Sequence, residues 1–320
     1  MAQHRDRLLP AAFVVVWSSG YLAGTVGAHS GPPLALLFWR FLLAFVVLCV
    51  LAVVTRAPWP TRPRTYLHLL VTGFLLQTVQ FGPLYLGLGM GVTAGVAAMI
   101  MSACPLVVAA AAVPLFGERL TGRQWVGLTV GLAGVVISLS DRLNGGGSLA
   151  GYALTGLALL GFAAGTLYQK RFGGSVDLRT GTTVQLVAGM ITTLPLAAVH
   201  GGVLLPMTTP AIGSTVWLAL VNSIGGFTML FLLLRHRSGG AATSVLYLVP
   251  PVTALLAPVV LDQTTSMTVF IGMAVSGAGV LMTVLTRRVP SGKRLLSVFR
   301  LGRSGVALDS TARQGVRFDG

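Results

Sequence analysis

Within the twenty-one residues Leu34 to Val54, LALLFWRFLLAFVVLCVLAVV, one side chain is charged, Arg40. A guanidinium offers five N–H donors in a planar fork and pairs with carboxylates, so its presence in an apolar run asks for a partner. Other polar groups of the apolar segments are neutral. Gln77 and Gln80 stand three residues apart, which on an α-helix puts both amides on one face, and Tyr85 follows five residues later. Trp17, Ser18 and Tyr21 fall in the first apolar run, Ser102 in the fourth, Tyr168 and Gln169 at the end of the sixth, Asn222 in the eighth and Tyr247 in the ninth. Amides, hydroxyls and aromatic rings hold a solute without breaking its bonds. There is no HExxH, no G-x-S-x-G, no P-loop, no Rossmann fingerprint and no His or Cys cluster at metal spacing. No enzymatic activity, no cofactor and no metal are therefore expected.

The elements that must position these residues follow from composition. The chain has 320 residues, 54% hydrophobic and only 9% charged, with a mean hydropathy of +0.83, against roughly a quarter charged in a soluble domain. Runs of about twenty apolar residues match the ~30 Å hydrocarbon core, and in lipid they must be helical to satisfy their own backbone. Ten such runs are expected, at 9–28, 34–54, 66–87, 92–116, 123–140, 150–169, 181–200, 211–234, 240–261 and 268–286. With the N-terminus inside, twenty of the twenty-two Lys and Arg fall in cytoplasmic segments, so both termini are expected in the cytoplasm of a multi-pass plasma (bacterial inner) membrane protein. The net charge of +15 is explained by this distribution, and nucleic acid is not expected as a partner; the lipid bilayer and a small organic solute are.

Sliding the chain against itself gives a constant offset of 145 residues: GLTVGLAGVVISL from Gly127 falls on GMAVSGAGVLMTV from Gly272, Gly95 on Gly240 and Pro105 on Pro250. The expected organisation is a first five-helix repeat over 1–142, a Gly-rich linker over 143–148, a second repeat over 149–287 and a basic cytoplasmic tail over 288–320, expected to be disordered or to lie on anionic lipid. Five is odd, so the second repeat enters the membrane from the opposite side. Inverted repeats can exchange conformations around a midplane site, the arrangement of many secondary transporters. The fold expected is thus an all-α membrane protein of ten transmembrane helices in two inverted five-helix repeats.

Several motifs carry a resemblance. W-S-S-G-Y in the first helix, G-P-P before the second, F-W-R-F-L-L-A around Arg40, the run from Pro105 to Gly117-Glu118 and the glycine-rich fifth helix together resemble the drug/metabolite transporter superfamily, specifically its ten-helix EamA-type group. The resemblance implies a secondary transporter, an exporter or exchanger of a small organic metabolite or drug-like solute. It also implies a central cavity lined by helices one, three, four, six, eight and nine, with two and seven flanking and five and ten peripheral. The alternative is a facilitative channel or a non-transporting scaffold or receptor protein.

Each polar residue has a plainer reading as a bridge between helices. Arg40 lies about 9 Å below the outer interface by the 1.5 Å rise, within reach of snorkelling. If it instead faces the cavity, it favours solutes bearing a carboxylate, and Asp262 or Asp141 is its expected acid partner. All seven acids fall in loops, helix ends or the tail, so proton coupling through a midplane carboxylate is not expected. Pro105 and Pro250, repeat-related, are expected to kink their helices, and glycines four apart allow close packing, within a monomer or across a homodimer.

Overall fold

A computed structural model of the chain describes residues 2–117, 120–140, 148–173, 176–226, 228–229, 248–263 and 266–285. The linker before Ser148, Asp141, Tyr247 and the basic tail lie outside the described residues. All regular structure among the described residues is helical. The helices are α1 (Ala2–Ser30), α2 (Pro33–Val54), α3 (Pro63–Gly89), α4 (Ala94–Phe116), α5 (Gly122–Ser140), α6 (Leu149–Phe172), α7 (Leu178–Val199), α8 (Thr209–Val216, continuing as a π-helix over Trp217–Gly226), α9 (Val249–Leu261) and α10 (Met267–Leu285). Among the described residues, six segments are long and apolar enough to cross a membrane: Leu9–Ser30, α2, α3, α4, α6 and α7. Their exposed surfaces carry Val46, Val50, Val53, Leu157, Leu160 and Ile191, side chains suited to lipid.

Local chemistry sets the ends. Pro33 opens α2 behind Pro32, where the missing N–H costs nothing. Ser148 Oγ accepts from the Gly151 amide to cap α6, and the Asp177 carboxylate accepts from the Arg179 amide to cap α7. Gly117 closes α4 in the left-handed region at φ 65°, and its repeat mate Asp262 closes α9 at φ 52°. At Gly117 no side chain opposes that geometry, whereas Asp262 tolerates it as short polar residues do.

Two departures from α-geometry matter most. Residues Phe74–Val79 of α3 form a π-helix, and so do Trp217–Gly226 of α8. The offset of 145 carries the first onto 219–224, inside the second, so both repeats widen their third helix at the same place. In addition, α4 is interrupted at Ala103, between Ala94–Ser102 and Cys104–Phe116, with Pro105 in the first turn of the second piece. Pro105 thus follows directly on a break in α4. Pro250 likewise stands in the first turn of the described α9, after Leu248, the repeat mate of Ala103, and the residues before Leu248 lie outside the described ones.

Residues Met1–Val284 form one compact unit, in which the sequence repeats interleave. The heaviest packing is between repeats: α2 lies along α7, α3 against α6 and α7, α1 against α8 and α9, and α4 against α6 and α9. Exchanging the halves turns α3/α6 into α8/α1, α3/α7 into α8/α2 and α1/α9 into α6/α4, and leaves α2/α7 and α4/α9 as they are. The contact pattern therefore has a pseudo-twofold relation. It extends to α5 and α10, where a Cβ on Gly134 would stand 2.3 Å from the Ser276 amide and one on Gly279 would stand 2.2 Å from that of Gly131. Ser138 Oγ donates to the Val269 carbonyl at 3.2 Å across the same contact. The glycine-rich faces of these helices are used for packing within one chain.

Candidate functional site

A cavity of about 60 Å³ lies among α1, α2, α3, α6 and α8. Trp17, Tyr21, Phe81, Tyr85 and Phe162 supply rings to its wall, Leu84, Leu88 and Leu218 supply aliphatic surface, and Arg40, Gln80 and Asn222 supply polar groups. Trp17 and Phe162 are repeat mates, so one aromatic position is used by both halves.

Arg40 is only 3% exposed. It does not snorkel. Its guanidinium donates from Nε and Nη2 to Ser223 Oγ, both at 3.2 Å, and from Nη1 to Tyr85 Oη at 2.8 Å, while its carbon sits 4.4 Å from the centre of the Phe81 ring. Ser223 Oγ in turn donates to the Leu218 carbonyl at 3.0 Å, a bond across five residues that the π-geometry of α8 provides. The expected acid partner is absent: among the described residues no carboxylate meets Arg40, Asp262 caps the end of α9, and Asp141 lies outside the described residues. Two hydroxyls and an aromatic face stabilise the buried cation instead, as cation–π contact and hydrogen bonding do when a charge is shielded from water.

Asn222 is fixed by a bond from Nδ2 to the Val16 carbonyl at 2.6 Å, and its Oδ1 is buried without a partner. Gly20 makes this possible, since a Cβ there would stand 2.7 Å from Nδ2. Gly24 likewise lies against the Tyr85 ring, which a Cβ at that position would approach to 3.2 Å.

Of the residues singled out in the sequence, Trp17, Tyr21, Arg40, Gln80, Tyr85 and Asn222 meet in this one cavity. The other described ones are placed elsewhere, and Tyr247 lies outside the described residues. Ser18 is fully buried and donates to the Val249 carbonyl at 3.2 Å, tying α1 to α9. Gln77 does not share a face with Gln80: the wider π-turn between them rotates Gln77 toward α7, where its Cβ packs on Gly189. Tyr168 leaves the cavity to receive His68, whose Nδ1 is 2.9 Å from the Tyr168 hydroxyl, while Phe172 stacks on the His68 ring at 4.6 Å. Gln169 is exposed. Ser102 lines a second cavity of about 210 Å³ together with Pro250, Pro251 and Met273, between α4, α9 and α10. Helix α2, expected to flank, enters the wall of the first cavity through Arg40, and α4 and α9, expected to line it, border the second instead. Phe81, Phe162 and Ser223 were not anticipated, although Phe162 could have been found as the repeat mate of Trp17.

Comparison with known proteins agrees with this architecture. The chain is 28% identical over 298 residues to the "Probable amino-acid metabolite efflux pump" of Escherichia coli strain K12, covering 89% of this chain and 96% of that one. It is 29% identical over 280 residues to the "Uncharacterized inner membrane transporter YedA" of the same strain, covering 86% and 89%. It is 28% identical over 287 residues to the "Probable terminal-alkyne amino-acid exporter" of Streptantibioticus cattleyicolor, covering 88% and 93%. A solved crystal structure superposes with a TM-score of 0.61 at 20% identity over 89% of this chain and 98% of that one, a likeness of fold. The EamA-like transporter family matches twice, over residues 8–140 and 149–285. The chain thus carries two copies of the family's unit and belongs to the EamA-like transporter family, as a multi-pass membrane transporter of small organic solutes.

Proposed function

We propose that the chain is a secondary exporter or exchanger of amino-acid-like metabolites that works by alternating access. In this reading ten transmembrane helices form two inverted five-helix repeats, with both termini in the cytoplasm. The charge distribution supports the orientation, because basic residues flank every segment assigned to the inside. The pseudo-twofold packing supports the mechanism, since interleaved halves of opposite direction have two conformations of similar energy available. The observation that carries the reading is Arg40, a permanently charged group held in the cavity wall by uncharged partners and so left with charge for a solute to neutralise. The cavity volume of about 60 Å³ is well under the roughly 300–1,000 Å³ of ordinary ligand pockets, which fits a conformation contracted between two open ones.

Transport is read as exchange or facilitated movement, because none of the acidic residues of the chain falls at the midplane of a span. Counterflow in proteoliposomes is the test. Purified protein should accumulate a labelled amino acid transiently when the same amino acid is loaded unlabelled on the other side, without a coupled change of internal pH. Non-saturable flux without counterflow identifies a channel, and a stoichiometric proton flux would overturn the uncoupled mechanism.

A further inference from the structure

We propose that Arg40 and Asn222 form the two poles of a binding site for a zwitterion, so that the solute must carry a free carboxylate and a free ammonium together. The proposal deepens the transporter reading above and rests on it. A guanidinium has five N–H hydrogens. Ser223 Oγ receives Nε–H and one hydrogen of Nη2, and Tyr85 Oη receives one hydrogen of Nη1, so one hydrogen remains on each terminal nitrogen. A carboxylate has two oxygens to meet them.

The acceptor pole is independent of this. Asn222 lines the same cavity and is only 8% exposed; its Nδ2 is committed to the Val16 carbonyl, and its Oδ1 is buried without a partner. Turning the amide over would set Oδ1 against the Val16 carbonyl oxygen, so the orientation is fixed by its neighbour. A buried acceptor left open costs about 1–3 kcal/mol, and a donor from the solute removes that cost. The Gln80 amide and the rings of Trp17 and Phe162 line the same space, and aromatic faces attract an ammonium.

Together the poles select. A simple anion is held by Arg40 but meets the open carbonyl of Asn222, and a simple amine is repelled by Arg40. An α-amino acid satisfies both, with its side chain against Phe81, Leu84 and Leu218. N-acylation removes the ammonium and should abolish recognition, as should esterification or amidation of the carboxylate.

The test compares three head groups on each of three side chains: alanine with ethylamine and propionate, leucine with 3-methylbutylamine and 4-methylpentanoate, and phenylalanine with phenethylamine and 3-phenylpropionate. Each competes for counterflow of the amino acid that the native protein exchanges best. At least one amino acid should compete, and its amine and acid should each be weaker by about tenfold or more, the scale of a lost hydrogen bond to a charged group. Because this uses the native chain, no variant has to fold. In Asn222→Ala the acid should come within about threefold of the amino acid, while discrimination against the amine persists. An acid that competes as well as its amino acid in the native protein overturns the two-pole site but leaves the exporter reading standing. Absence of counterflow with every amino acid overturns both.

Discussion

Helices α2 and α7 occupy equivalent places in the two repeats and lie along one another, yet they hold different residues at the decisive position. The mate of Arg40 is Gln185, which is also buried. The surroundings differ more than the residues do. Arg40 is cradled by Phe81, Tyr85 and Ser223, whose repeat mates are Gly226, Leu230 and Thr78. A ring and a phenol in the first repeat thus correspond in sequence to a glycine and a leucine in the second, and only the hydroxyl is kept. Thr78 is itself bonded to Thr192 of α7, so its hydroxyl is engaged elsewhere. The pseudo-symmetric scaffold supplies two equivalent positions, and side-chain divergence has made one of them a charged site. The one charge buried among the described residues of these helices is met by a complete cradle of hydroxyls and a ring.

Exchanging the two residues should break the comparison most visibly. Gln185→Arg puts a cation where the repeat mates of Phe81 and Tyr85 are a glycine and a leucine, and should destabilise the fold by about 3–5 kcal/mol, the scale of an uncompensated buried charge. A loss of folded protein in detergent, read by size-exclusion chromatography and thermal melting, is the expected result. Arg40→Gln should leave a folded, monodisperse protein but reduce amino-acid counterflow by on the order of a hundredfold, since the charged hydrogen bonds to the solute are lost. If both variants fold and transport alike, the halves are equivalent and the cradle is incidental.

A smaller effect sharpens the same contrast. Ser223→Ala removes the acceptor shared by Nε and Nη2 of Arg40 and should lower counterflow by roughly tenfold through misorientation of the guanidinium, whereas Thr78→Ala at the mated position should change transport less than about threefold. Equal losses would place the effect in the π-helices rather than in the arginine.

The smallest effect lies at the helix starts. Pro32 precedes α2 with no side-chain cap, while its mate Asp177 caps α7 and pairs with Arg179 Nη2 at 2.8 Å. The hydrogen bonds from the Arg179 side chain, outweighing the opposing effect of partial burial, hold the Asp177 carboxyl below the usual carboxylate range. A lowered value means that the contribution is present above the ordinary carboxyl range and is lost as the pH falls through the lowered value. The pair is solvated, so Asp177→Asn should lower the melting temperature at pH 7 by only about a degree or two. That difference should fade in acid; a difference that grows toward acid would contradict the assignment.

Much of this architecture was legible beforehand because its causes are local or repeat. Hydropathy fixes where a chain can cross lipid, since each helix satisfies its own backbone there, and the observed helices follow the expected runs closely at α2, α4 and α5. The family resemblance and the duplication rested on glycine, proline and aromatic landmarks at one offset, which survive because they answer to backbone geometry. Gln77 shows where such reading stops. Three residues from Gln80, it belongs on the same α-helical face, but a π-segment between them turns it to Gly189. Local α-propensity gives no sign of that turn, because its stability depends on what packs against the wider helix. Tyr168 shows the same limit, drawn from the cavity by a histidine one hundred residues away.

Composition and periodicity act residue by residue along the chain, and from them alone it follows that this protein is helical, duplicated, embedded in a membrane and marked by one arginine in an apolar helix. What holds that arginine depends on packing between distant helices. Its partners come from α3 and α8, at 45 and 183 residues' separation, and neutral hydroxyls were as good a solution as the acid that charge pairing alone would choose. Burial against an aromatic face made the difference, and burial is a property of the packed whole.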